Sequence, residues 1–267
     1  MATEEILVTA GLATTAYVAQ QLFGKTLAEM GDDLNKVYKA NRDKLLEKAA
    51  QKVADPNDGA QVNLRVARDV IWNGAVTDDE VCAEYFGGLL AASRSVDGKD
   101  DSALIYVDCI KALSSKQLHL HYVIYNGLQH QLIAAGKQIN PGMQDELSAL
   151  EVWFFALELE GLGLNPDIDL NILHRQGLIS GFAKNNHTIG TQSLPYVKAS
   201  PTTFGVLLFA AASNSLNSWR LYGSSKFISA DEINLPVYKA SSLENLCMSA
   251  GMPFQAPTEP ILSTPGS

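Results

Sequence analysis

The hydrophobic pattern along this chain is helical for most of its length. From Ile6 to Gly24 no charged residue occurs in 19 positions. Thr9, Ala13, Ala16 and Gln20 recur on one side at helical spacing, and Val8, Leu12, Ala19 and Leu22 form an apolar side. A helix of that length would just reach across a ~30 Å hydrocarbon core. The two-sided pattern instead predicts an amphipathic packing helix, with stable membrane insertion disfavoured. KTLAEMGDDLNKVYKANRDKLLEKAAQKV then alternates charge at a helical period and reads as a partly solvated helix, which ADPNDGAQ breaks.

Asn63 to Ala75 reads as a short helix closed by Asn73 and Gly74. Thr77, with Glu80 three residues on, forms a capping box that opens the next helix. Its Val81, Cys82, Tyr85, Phe86, Leu89 and Leu90 form one stripe, predicted to be buried. Gly87 and Gly88 lie beside that stripe. A helical glycine costs ~1 kcal/mol relative to alanine, so two in succession predict close packing by another helix. Ser102 to Leu113 is apolar nearly all round and predicts a central helix, and Ser114 with Gln117 caps the helix that runs on through Leu132. AGKQINPG reads as a linker. Asn140 and Pro141 are expected to open a further helix whose Leu147, Leu150, Phe154 and Leu157 face a core.

After Gly161 the elements shorten. Pro166 to Gln176 predicts a brief helix closed by Gly177, and LISGFAK and LPYVKA read as two strands around NNHTIGTQ. Ser200 with Pro201 then starts the helix FGVLLFAAA, an order that fits a winged-helix-like unit. SSLENLCMSA reads as one more helix, capped by Ser241 with Glu244, and APTEPILSTPGS as a disordered tail. The expected fold is therefore mainly α: a multi-helix domain followed by a small winged-helix-like domain with a two-stranded β wing. The divisions are 1–60 (N-terminal helices packing on the core), 61–140 (helical domain), 141–225 (winged-helix-like domain) and 226–267 (C-terminal extension). Residues 25–135 are expected to be almost wholly helical, and strands to be confined to about 178–200.

Composition is that of a globular protein, with 46% hydrophobic and 18% charged residues in 267. Three widely spaced cysteines, Cys82, Cys109 and Cys247, argue against a disulfide framework and for a reducing compartment. Glu4 and Glu5 stand where a secretory signal carries positive charge, so a cytoplasmic location is expected. The net charge of −9 conceals an asymmetry. Residues 171–230 carry Arg175, Lys184, Lys198, Arg220 and Lys226 and no acid, whereas residues 1–170 hold 14 Lys/Arg against 25 Asp/Glu.

The segments NRDKLLEKA, EVCAEYFGGLLAAS, IYVDCIKALSSKQ, LGL and TTFGVLLFAA resemble, in order and spacing, the abortive-infection alpha (Abi-alpha) family of bacterial proteins associated with phage resistance. The resemblance covers roughly Gly24 to Ala212. The family pattern reads LWAxLLA, ILxxLSPxDA, LxxLGLI and LTxxGxxF. Here Tyr85 and Phe86 stand at its aromatic-alanine pair and Ser115 at its proline, while Ser114 keeps the cap. The resemblance implies a phage-defence setting and supplies no catalytic residues.

Candidate chemistry is sparse. His119 and His121 are two apart, which on a helix turns them to different faces, and His130 lies further along, so no zinc-ligand spacing occurs. Cys82 and Cys109 fall on apolar faces without a cationic neighbour. Asp167 and Asp169 fit a helix N-terminus as readily as a divalent ion. Gly161 and Gly163 make only G-x-G, and there is no G-x-S-x-G. No catalytic, cofactor or metal residue is therefore expected. The leading expectation is a non-catalytic interaction protein acting on a protein partner or on itself, with Gly87 and Gly88 as helix-packing positions. The candidate contacts to a partner or nucleic acid are Asn171, Arg175, Gln176, Lys184 and Lys198. A nucleic-acid-binding regulator is the alternative and a membrane-active effector the second. Five neutralised phosphates would give a salt slope of about −4.5, against the acidic field of the remaining chain, so nucleic acid is not favoured.

Overall fold

In a computed structural model of the chain, the described residues are 36–55, 57–227 and 237–254; the readings of Ile6–Gly24 and of the tail from Ala256 lie outside them. Residues 36–51 form helix α1. Helix α2 (Leu64–Gly74) begins where the Asn63 side chain accepts from the N–H groups of Arg65 and Val66. Helix α3 (Glu80–Ala92) starts later than the capping box predicted. Asp79, not Thr77, is its N-cap, and accepts from Cys82 N–H at 2.9 Å. His119 lies 2.8 Å from the other Asp79 oxygen and orients the carboxylate for that role.

Helix α4 (Leu104–Lys111) is not the central helix its composition predicts, since Ile105 is largely exposed and only Val107, Cys109 and Ile110 of its residues are buried. The centre is α5 (Ser115–Ala134), buried at every residue from Leu120 to Gln129. Ser114 and Gln117 make both bonds of its capping box. The first 135 residues also hold a short antiparallel pair, β1 (Gln61–Val62) with β2 (Arg94–Ser95), so they are less uniformly helical than expected.

The second half departs further from the expectation. Helix α6 (Gln144–Ser148) has Met143 at its N-cap, not Asn140, and stops after five residues. The sequence VWFF then forms strand β3 (Val152–Phe155), followed by α7 (Ala156–Gly161), on which Leu157 is 66% exposed and faces no core. A β-branched and aromatic run suits a strand, and pairing with strands on both sides outweighs the helical period. Helix α8 (Pro166–Arg175) is closed by Gly177 at φ +70°, as its sequence predicts, and Asn165, which the sequence reading did not single out, caps its start. Strands β4 (Ile179–Ile189) and β5 (Gln192–Pro201) absorb most of the predicted loop and meet at a two-residue turn that opens on Gly190, φ +61°. Helix α9 (Thr203–Ala212) is capped by Thr202, because β5 runs on through Ser200 and Pro201. A 3-10 turn (Leu216–Leu221) follows. Strand β6 (Lys239–Ala240) and α10 (Leu243–Ser249), capped by Ser242 where Ser241 was expected, complete the described chain.

The four longer-range strands form one antiparallel sheet in the order β4-β5-β3-β6, so strands are not confined to 178–200. Alternation along β3 covers both of its faces. Val152 and Phe154 enter the main core, while Trp153 joins Leu194, Ala240, Leu246, Cys247 and Met252 on the other side, beneath α10. The main core is continuous from Leu45 to Val237 and crosses the boundary read at 140/141. Helix α5 is its axis.

Candidate functional site

Gly87 and Gly88 each face a different helix. A Cβ on Gly87 would sit 2.8 Å from Lys48 Cβ and 3.0 Å from the Ala49 nitrogen and Leu45 oxygen of α1. One on Gly88 would fall inside the carbonyl of Ala212 at the end of α9. Consecutive helix residues point about 100° apart, so two glycines in a row let α1 and α9 approach α3 on adjacent faces. Ion pairs then fasten α1. Glu80 pairs with Lys44 and Lys48, each at 2.9 Å, and Glu84, only 1% exposed, pairs with Lys48 at 2.5 Å and with Lys52. Lys44 and Lys48 beside Glu80 hold its carboxyl below the usual range. These residues build the scaffold.

A buried aromatic group lies between α3, α5 and α9. Tyr85 Oη is 2.5 Å from His121 Nδ1, and the His121 ring stacks at a tilt on Tyr125, 4.5 Å between centroids. Tyr125 Oη donates to the Leu178 carbonyl and accepts from Thr202 N–H at 3.0 Å, tying α5 to the starts of β4 and α9. Tyr222 Oη donates to the Tyr125 carbonyl. Burial drives the His121 pKa down to about 3, only partly opposed by a contact with the Gly205 backbone. A folded-state pKa below the unfolded value of ~6.5 means that the unfolded chain binds a proton the folded one refuses. Stability is therefore expected to fall by about 1.4 kcal/mol per pH unit as pH drops from 6.5 toward 3. Urea midpoints from pH 7.5 to 4.5 test this. His121→Gln is expected to flatten the slope, and a wild-type profile flat across that range would contradict it.

The five candidate contact residues do not form one basic face. Lys184 on β4 is held by Glu160 at 3.1 Å and Asp167 at 2.9 Å. Lys198 on β5 pairs with Glu151 at 2.6 Å and lies over the Trp153 ring. Asn171 donates to the Asp167 carbonyl one turn back. Arg175 is exposed at the end of α8, and Gln176 follows it half-buried. Acids distant in sequence thus neutralise two of the three cations in this group. Asp169 is also spoken for: it is buried and accepts from Asn165 N–H at 2.8 Å and from the Gln117 amide at 3.2 Å.

Among the described residues no group of His, Cys, Asp and Glu converges as a metal site. The cysteines are free and buried, and burial raises the Cys82 thiol to about 12 and that of Cys109 to about 11, leaving neither a thiolate at neutral pH. No described helix is long and apolar enough to cross a membrane. No family model, no curated protein and no solved structure matches the chain.

One surface stands out that the sequence reading passed over. Leu64, Arg68, Trp72 and Val76 recur every fourth residue along and just beyond α2, and all four are exposed. Leu64, Trp72 and Val76 are 85%, 71% and 62% exposed. The opposite side of α2 buries Val66 and Val70. The signal was present as a two-sided helical pattern in which both sides carry large apolar residues.

Proposed function

We propose that this chain is a non-catalytic interaction and assembly protein of the abortive-infection kind its sequence resembles, working in the cytoplasm through protein contacts. The observation that carries this reading is the row Leu64, Trp72 and Val76 on the open face of α2. Large apolar side chains in line on a helix are the pattern by which one helix docks on another protein, and tryptophan and arginine are enriched at the centres of such contacts. The order α6, β3, α7, α8, β4, β5, with the β4–β5 hairpin following α8, supports a winged-helix-like unit in the second half. In that unit Asp167 and Asp169 open the helix that would read DNA, and Lys184 and Lys198 are paired with carboxylates, which favours protein over nucleic acid as its partner. Three unpaired cysteines support the reducing compartment.

Light scattering after size exclusion tests the reading. The full chain is expected to associate in a concentration-dependent way, and Leu64→Glu with Trp72→Glu is expected to leave monomer with an unchanged melting temperature. A monomer at every concentration would remove self-assembly and leave a separate protein partner. Micromolar or tighter duplex-DNA binding at physiological ionic strength, lost in Arg175→Glu, would overturn the reading in favour of a nucleic-acid-binding regulator.

A further inference from the structure

We propose that the cleft between residues 138–139 and 220–226 binds a small molecule carrying a phosphomonoester. The cleft encloses about 290 Å³ and includes Gln138, Ile139, Arg220, Gly223, Ser225 and Lys226 in its lining. Apart from Gln138 and Ile139 its lining lies in the acid-free stretch of the sequence, and among the described residues no carboxylate lines it. Of the five cations in that stretch, Lys184 and Lys198 are engaged by acids, and Arg175 is on α8. Arg220 and Lys226 share this one opening, and among the described residues neither pairs with a carboxylate. The nearest carboxylate traced through hydrogen bonds, Glu146, accepts from the Asn140 N–H at 2.9 Å and is outside the lining.

The cleft is held open by its own loop. Tyr222 and Phe227 are buried anchors, the first bonded to the Tyr125 carbonyl, and Ser224 to Lys226 bridge the surface between them. Gly223 adopts φ +82° and passes so close to Leu132 that a Cβ there would lie 2.7 Å from its Cδ1, so the loop folds down only with glycine at this position. Turns consume the N–H groups of Ser224, Lys226 and Phe227, whereas those of Gly223 and Ser225 donate to no described acceptor. Arg220 is preoriented by the Trp219 ring, 4.6 Å from its guanidinium carbon, and by a contact of 3.4 Å with Asn140 Oδ1. A guanidinium, an ammonium and N–H groups without a described acceptor in one concave site make the donor set that an oxyanion with several acceptor oxygens requires. Ile139 and Leu221 offer apolar wall for the organic part of the ligand.

Calorimetric titration of the full chain with phenyl phosphate and with inorganic phosphate, at low ionic strength, tests the proposal. Saturable binding of phenyl phosphate is expected, tighter than that of inorganic phosphate. Arg220→Ala and Lys226→Ala are each expected to weaken it about tenfold, as loss of a charge-assisted bond does. Both side chains are exposed, so an unchanged melting temperature verifies the fold of each variant. No saturable heat up to roughly 10 mM, or binding untouched by the double variant, would overturn the proposal. Binding to phosphatidic-acid vesicles without binding to phenyl phosphate would also overturn it and assign the cleft to a lipid surface. None of these outcomes bears on the α2 face.

Discussion

Gly88→Ala is expected to destabilise the protein by about 3 kcal/mol, the upper end of overpacking costs, and to lower the melting temperature by roughly 6 to 12 °C. The size follows from what the new methyl group meets. It is the Ala212 carbonyl, a backbone group at the end of α9, and not the far end of a flexible side chain. Relief requires α9 to move as a body, which disturbs Phe209 and its ring contacts with Tyr122, Tyr125 and Tyr222 in the centre of the core. Gly88→Leu is expected to cost more. Gly161→Ala, where a Cβ meets nothing within 4 Å, is the control and is expected to be neutral or slightly stabilising. If Gly88→Ala melts with the wild type by calorimetry, α3 and α9 do not approach as described.

Glu84→Ala is expected to cost about 3 to 5 kcal/mol, because it strands Lys52, and in part Lys48, as buried cations without their carboxylate. The damage is expected to be local first. Helix α1 is also held by Leu45 in the core, by Asn41 donating to the Ala75 carbonyl at 3.3 Å, and by Asn214 donating to the Lys52 carbonyl at 2.7 Å. Proteolytic cleavage within 36–55, well before global unfolding, is the signature to look for. The double variant Glu84→Leu with Lys52→Met removes both charges and is expected to recover most of the loss. Equal stability of Glu84→Ala and wild type would mean that the ion pairs are solvated and α1 is held by apolar contact alone.

Some of this arrangement was legible in the residues and some was not, and the division follows the range of the forces. The capping box at Ser114, the helix start at Asn63 and the stop at Gly177 were readable because each rests on bonds between residues within a few positions of one another. The double glycine announced a close approach, since nothing within a helix rewards two missing side chains. It did not name α1 and α9 as the helices that approach, because those contacts span large separations in sequence. VWFF was misread for a related reason. Its apolar spacing satisfies a helix as well as a strand, and only the neighbours β5 and β6 reward the strand with hydrogen bonds on both sides.

Charge gives the same lesson about the candidate site. By itself the sequence determined that residues 171–230 carry five cations and no acid. Only the tertiary structure decided which of them remain available. It brought Glu151, Glu160 and Asp167 to Lys198 and Lys184, and set Arg220 and Lys226 together at one cleft that no described carboxylate lines. A charge count adds along the chain, whereas a Coulomb interaction falls with distance in space and is screened beyond about 10 Å at ordinary ionic strength. Which acid meets which base is therefore set by the fold, through the same long-range packing that places α1 and α9 against Gly87 and Gly88.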